Sequence, residues 1–220
     1  MCTQSTLCYK VCMNENLPGD AREMLDLIDG QQRRVSREYR IPVVWLYTVW
    51  AAAWLVGFLA LYLAQLGVFD PVAAGIVFGV LIAGSIVASA VIGSRIGRGV
   101  RGESQFAGTV YGVSWSVCSV AFALLGIGMI AQGLAGDFAG LYFPSAYALM
   151  CGTLYLAGAA IWHDRLQLVL GLSLLVVGAV APFLGLGPNL LLMAVAGGVI
   201  FGAGAVVTLR TLRSPSARRR

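Results

Sequence analysis

Beyond Arg40 the chain alternates between long apolar runs and short polar or arginine-bearing segments. The first run follows RRVSREYR and reads IPVVWLYTVWAAAWLVGFLALYLAQL, residues 41–66, without one charged side chain. As a helix rising ~1.5 Å per residue it is about 39 Å long, against a bilayer core of about 30 Å. A soluble helix would carry a polar face at 3.6-residue spacing, and this run has none. Further apolar runs cover about 71–92, 106–132, 144–162, 166–184 and 190–209. The pattern predicts an all-α integral membrane protein with six transmembrane helices forming one bundle over residues 41–209.

The polar leader divides in two. Residues 1–19 show no periodicity and are expected to be disordered. Met13 opens MNENLPGDAREML, a natural start, so residues 1–12 read either as an upstream extension or as a true terminus. Residues 20–40 read as an amphipathic juxtamembrane helix. Asp20 follows a Pro18-Gly19 turn as an N-cap, acidic residues come first and arginines last, in the order the helix dipole favours. Leu25, Ile28, Gln32, Val35 and Tyr39 share one stripe. That stripe fits a docking or self-associating helix, or one resting on lipid headgroups.

Charge then fixes direction. All 15 Lys and Arg residues fall in the leader, in the segments after the second and fourth runs, or in the 210–220 tail. The turns after the first, third and fifth runs carry none. By the positive-inside rule both termini are cytoplasmic, and the tail RTLRSPSARRR is a basic cytoplasmic segment. The net charge of +5 therefore belongs to membrane orientation and does not point to nucleic acid. With 11% charged residues, against about 25% in globular domains, the chain could not cover a soluble surface. The excess of Arg over Lys and the abundance of Ala and Gly point to a GC-rich, bacterial genome. The leader holds no apolar stretch of signal-peptide length, which makes the first span an uncleaved signal-anchor.

Motifs inside the spans are sparse. Trp50, Trp54, Phe58 and Tyr62 form one ridge of the first span. Trp54 sits deep enough to line a path or to pack on a neighbour. Gly75, Gly79 and Ala83 make a small-residue face on the second span, where close helix approach is expected. The third span is the richest in hydroxyls, with Ser114, Ser116 and Ser119, and is the expected border of any internal cavity. The loop GSRIGRGVRGESQ sets Arg95, Arg98 and Arg101 among glycines; without a Walker pattern, it reads as a contact for anionic lipid or a protein partner.

Catalytic and cofactor chemistry finds little support. Five cysteines without a CxxC pair, and a single histidine, provide no metal-ligand spacing, and no cofactor is expected. No GxSxG, HExxH or nucleotide loop occurs. His163-Asp164 is the one candidate acid–base pair, in a very short turn. No Asp, Glu, Lys or Arg lies inside an apolar run, so a proton-coupled carrier would lack its usual buried carboxylate. Uncharged groups such as Ser114, Ser116, Ser119, Thr153 and Tyr155 are left to bond a neutral solute.

The first expectation for function is a non-enzymatic permease-like or transport-accessory protein. The alternative is a scaffold or regulatory protein that binds a cytoplasmic partner, or a second copy, through its leader helix and Arg-Gly loop. A membrane-embedded lipid enzyme using His163-Asp164 is the third. Transport calls for a polar cavity through the bundle, scaffolding for a dry bundle, and an enzyme for a cleft at His163. The run AREMLDLIDGQQRRV with WLYTVWAAAWLVGFLALYL, within Arg22 to Leu63, resembles small uncharacterised multi-span membrane proteins of actinobacteria. The resemblance covers about a fifth of the chain and implies a bacterial plasma-membrane location, with no catalytic residues to carry over.

Overall fold

The computed structural model describes residues 17–96, 103–134 and 136–213. Of the positions before Arg40, burial is described only for Met24, Leu27 and Gly30, all exposed. The side chains of Leu25, Ile28, Val35 and Tyr39 lie outside this description. So do Arg98, Arg101, most of the expected disordered leader and most of the basic tail.

The described residues form six α-helices: α1 Leu17–Gln65, α2 Pro71–Ile96, α3 Glu103–Ala131, α4 Asp137–Trp162, α5 Arg165–Val180 and α6 Leu186–Arg213. A 3₁₀ turn, Ala181–Leu184, joins α5 to α6. Each of the six contains a stretch long and apolar enough to cross a membrane. The chain divides into two compact units, Met1–Arg40 and Ile41–Arg220, and the second contains the packed core.

Three boundaries differ from the sequence reading. α1 is one helix through Pro42, where the reading separates a 20–40 helix from a span starting at 41. A proline removes one backbone donor, and long apolar helices tolerate that loss. α4 begins at Asp137 and not at Pro144, so most of the expected 133–143 loop is helical. The cause is packing by aromatics: Tyr142 and Phe143 close over Gly126 of α3, and Tyr142 Oη donates to the Phe122 carbonyl at 3.0 Å. α6 begins at Leu186, with Pro188 in its first turn, where its missing N–H costs nothing.

Contacts fix the arrangement within the second unit. Trp50 meets Ser89 and Gly57 meets Phe78, so α1 and α2 are antiparallel. Tyr111–Trp162 and Trp115–Tyr155 set α3 antiparallel to α4. Gly152–Gly171 and Gly178–Leu149 set α4 antiparallel to α5. Trp54–Gly197 and Tyr47–Gly204 set α1 antiparallel to α6. α4 and α6 run parallel: Gly140 meets Leu186 and Tyr155 meets Phe201, with the same numerical offset in both contacts.

The core lies among α1, α4, α5 and α6. Ala148, Leu174, Met193 and Ala194 are all at 0% exposure, and Trp54, Phe58, Leu170 and Phe201 close around them. Lipid is as apolar as leucine, so burial gives little drive for helices to associate in a bilayer; close approach and dispersion must hold them. Glycine supplies that approach. A methyl group on Gly152 would lie 2.9 Å from the Gly171 carbonyl oxygen, and one on Gly171 would lie 2.9 Å from the Gly152 carbonyl. By contrast, α2 and α3 are peripheral, with 6% of each span buried.

The stripe Gly75, Gly79 and Ala83 is exposed, and nothing approaches within 4 Å of a Cβ placed on either glycine. α2 instead turns Ala74, Phe78 and Ser85 inward, and Phe78 fills the notch at Gly57. A large side chain seated on a small one replaces the small-on-small contact that the spacing predicts.

Candidate functional site

Aromatic rings form the most extended feature of the interior. Phe78 and Phe58 lie 5.1 Å apart by ring centroid, and Phe58 meets Trp54 at 5.4 Å. Trp54 meets Phe201 at 5.5 Å, Phe201 meets Tyr155 at 6.2 Å, and Tyr155 meets Trp115 at 5.7 Å. Tyr111 and Trp162 extend the series through contacts at 6.0 and 4.8 Å. Five helices contribute. Most contacts are edge-on or tilted, the arrangement the ring quadrupole favours. Trp54 is a keystone of this packing: it is 4% exposed, and its ring covers Gly197.

The serines proposed to line a cavity are not gathered together. Ser114 donates to the Val110 carbonyl of its own helix at 2.8 Å. Ser119 contacts Met150 Sδ at 3.7 Å, and its carbonyl accepts from Tyr147 Oη at 2.9 Å. Ser116 is on the outer face of α3, where with Val117, Val120, Ala121 and Leu124 it lines an open apolar depression of about 410 Å³. Trp54 takes no part in that depression. Thr153 donates to Leu149 O, as do Ser85 to Leu81 O, Ser173 to Val169 O and Thr208 to Gly204 O, all at 2.8 Å. Such hydroxyls are satisfied by their own helices.

Asp70 and Asp137 lie exposed at one end of the bundle, and the other carries the described basic groups. Arg95, Arg165 and Arg210 are exposed there, at the ends of α2 and α6 and the start of α5. His163 is exposed with a left-handed backbone, φ 53°, closing α4. Asp164 Oδ1 accepts from Leu166 N at 2.8 Å and so caps α5. That bond commits the carboxylate to the helix start. Among the described residues no three His, Cys, Asp or Glu side chains converge as a metal would require.

Unpartnered polar groups occur elsewhere. Among the described residues, Ser145 Oγ, Gln167 Oε1 and both amide atoms of Asn189 are buried without a hydrogen bond. Gln167 Oε1 and the Tyr111 hydroxyl crowd the same point beside Gly158, near the His163 end. Ser145 and Asn189 lie toward the opposite end, where α4 and α6 both pack on the Ala181–Leu184 turn. The apolar pattern puts Asn189 in the last outside turn and does not single out Ser145 or Gln167. These groups are neutral and leave no mark in the charge distribution; Asn directly after Pro188 at the head of an apolar run is the available signal.

No family model, curated protein or solved structure matches the chain.

Proposed function

We propose that this is a non-enzymatic, multi-pass protein of a bacterial plasma membrane that serves as a scaffold or accessory subunit, with both termini in the cytoplasm. The observation that carries this reading is the filled centre. Ala148, Leu174, Met193 and Ala194 are wholly enclosed where a conduit would pass. The hydroxyls of Ser114 and Thr153 turn back on their own helices, and Ser116 faces away from the bundle. These features support the transport-accessory part of the first expectation over the permease part. The commitment of Asp164 to capping counts against an enzyme at His163.

Partners are then bound outside the packed core. The leader stripe of Leu25, Ile28, Val35 and Tyr39 would dock a cytoplasmic protein or a second copy. Arg95, Arg98 and Arg101 would meet anionic lipid, each basic residue near such a surface contributing about 1 kcal/mol.

Thiol accessibility tests the reading. With Cys2, Cys8 and Cys12 replaced by serine, Cys118 and Cys151 are the remaining thiols. In inside-out and right-side-out vesicles a charged, membrane-impermeant thiosulfonate is expected to leave both unmodified. Modification of Cys151 from either side would reveal a water path through the bundle and defeat the scaffold reading.

A further inference from the structure

We propose that Asn189 and Ser145 form a buried hydration site that holds ordered water between α4, α6 and the 3₁₀ turn that separates α5 from α6. Asn189 is at 0% exposure and Ser145 at 5%, and neither side chain has a hydrogen bond among the described residues. Among the described residues the other buried serine and threonine, Ser85 and Thr208, each bond to their own helix. Ser145 does not, so its hydroxyl is free to serve something else.

Register brings the two residues to one level. The parallel contacts Gly140–Leu186 and Tyr155–Phe201 place Asn189 level with Phe143. Ser145 is two residues further along, about 3 Å at the helical rise.

Proline adds an acceptor at that level. Pro144 has no N–H to give the Gly140 carbonyl, one turn back in α4. The site thus combines a carbonyl oxygen that lacks its usual donor, an amide oxygen, an amide NH₂ and a hydroxyl.

Chemistry selects the occupant. A buried amide must replace its lost hydration with partners of both kinds. A monovalent cation would use the oxygens and leave the two amide N–H groups without an acceptor. A larger neutral solute needs an opening, and Asn189 has no exposed surface. Water both donates and accepts, and is small enough to be sealed in.

The test uses Met193, an easily oxidised side chain at 0% exposure, one helical turn from Asn189 on the same face. Synchrotron radiolysis splits bound water into hydroxyl radicals that attack whatever lies beside it. In the whole protein in nanodiscs, Met193 is expected to become sulfoxide despite its burial. The yield should fall several-fold in Asn189→Leu and in Ser145→Ala. The single-oxygen deletion Ser145→Ala carries the same readout if Asn189→Leu fails to fold. Three results overturn the proposal: Met193 unlabelled in the wild type, labelling unchanged in both variants, or thermal stabilisation by Na⁺ over choline that disappears in Asn189→Leu. The last would make the occupant a cation.

Discussion

Alanine at Gly152 puts the account of helix packing at greatest risk. Its Cβ would lie 2.9 Å from the Gly171 carbonyl oxygen, 2.9 Å from the Leu175 backbone nitrogen and 2.8 Å from Leu175 Cγ. Favourable contact begins at about 3.5 Å, so α4 and α5 must part by roughly half an ångström or more. Backbone atoms cannot rotate aside as a side chain does. A radial gap of that size already forfeits about a quarter of each contact's attraction along the interface. Overpacking of this kind costs about 1–3 kcal/mol, offset by about 1 kcal/mol from the better helix propensity of alanine. Since backbone gives way least, the upper part of the cost applies, and Gly152→Ala should be destabilised by roughly 1–2 kcal/mol. At about 2–4 °C per kcal/mol for a chain of this size, Tm falls by some 2–8 °C.

Gly79→Ala provides the opposite sign. No atom lies within 4 Å of its Cβ, so only the propensity gain remains and Tm should hold or rise slightly. Gly171 faces Gly152 reciprocally, so the double variant should cost less than the two single changes together, since the helices need part only once. The assay is thermal unfolding in one mild detergent, followed by tryptophan fluorescence, with Trp54 packed in the core as reporter. A Gly152→Ala protein as stable as the wild type, or a Gly79→Ala protein that loses more, would refute the reasoning.

Other expectations are equally direct. Asp164→Ala should lose about 0.5–2 kcal/mol and the exchange protection of the Leu166 amide, while Asp164→Asn, also a good N-cap, keeps most of both. Trp54→Ala should cost about 3–5 kcal/mol, and Ser116→Ala within about 0.5 kcal/mol of nothing, in the same melting assay. Trp50→Phe removes the 3.0 Å bond from Trp50 Nε1 to Ser89 Oγ and should lower stability by about 1 kcal/mol; an unchanged Tm would show the bond to be idle. Reporter fusions after Asp70, Gly99, Asp137, Arg165, Gly187 and Arg220 should alternate outside and inside with the last inside, and a periplasmic last fusion would reverse the orientation.

The helices were legible because apolar length is a coarse signal: residues 41–66 cannot be anything short, and α1 indeed ends at Gln65. Helix starts were less so. Pro144 reads as a first-turn residue, yet α4 extends back to Asp137 through aromatic contacts that no local pattern reveals. Facing was harder still. The spacing of Gly75, Gly79 and Ala83 shows that they share a stripe, but not which neighbour the stripe meets. The glycines at the α4–α5 crossing, Gly152 and Gly171, stand on different helices, so no single-helix motif joins them. By comparison, the Trp50–Trp54–Phe58–Tyr62 ridge does pack inward, because four large rings on one stripe need notches such as Gly197 to receive them.

Polar residues follow the same logic at finer scale. A serine or threonine in a helix can bond to the carbonyl one turn back, so its presence says little about a cavity, and Ser114 and Thr153 show this directly. The amide of asparagine brings two donors and two lone pairs, more than the preceding turn can absorb. A neutral amide inside an apolar helix is therefore more informative than a hydroxyl, although a scan for charge passes over both. Among the described buried serines and threonines the exception, Ser145, lies at nearly the same level as the enclosed amide Asn189. Pro144 stands beside them, withholding a donor from the Gly140 carbonyl one turn earlier. Two independent features, buried side chains without partners and a backbone acceptor without its donor, thus converge on this end of the bundle. Here hydrogen bonding has to be completed by a molecule the chain does not itself supply.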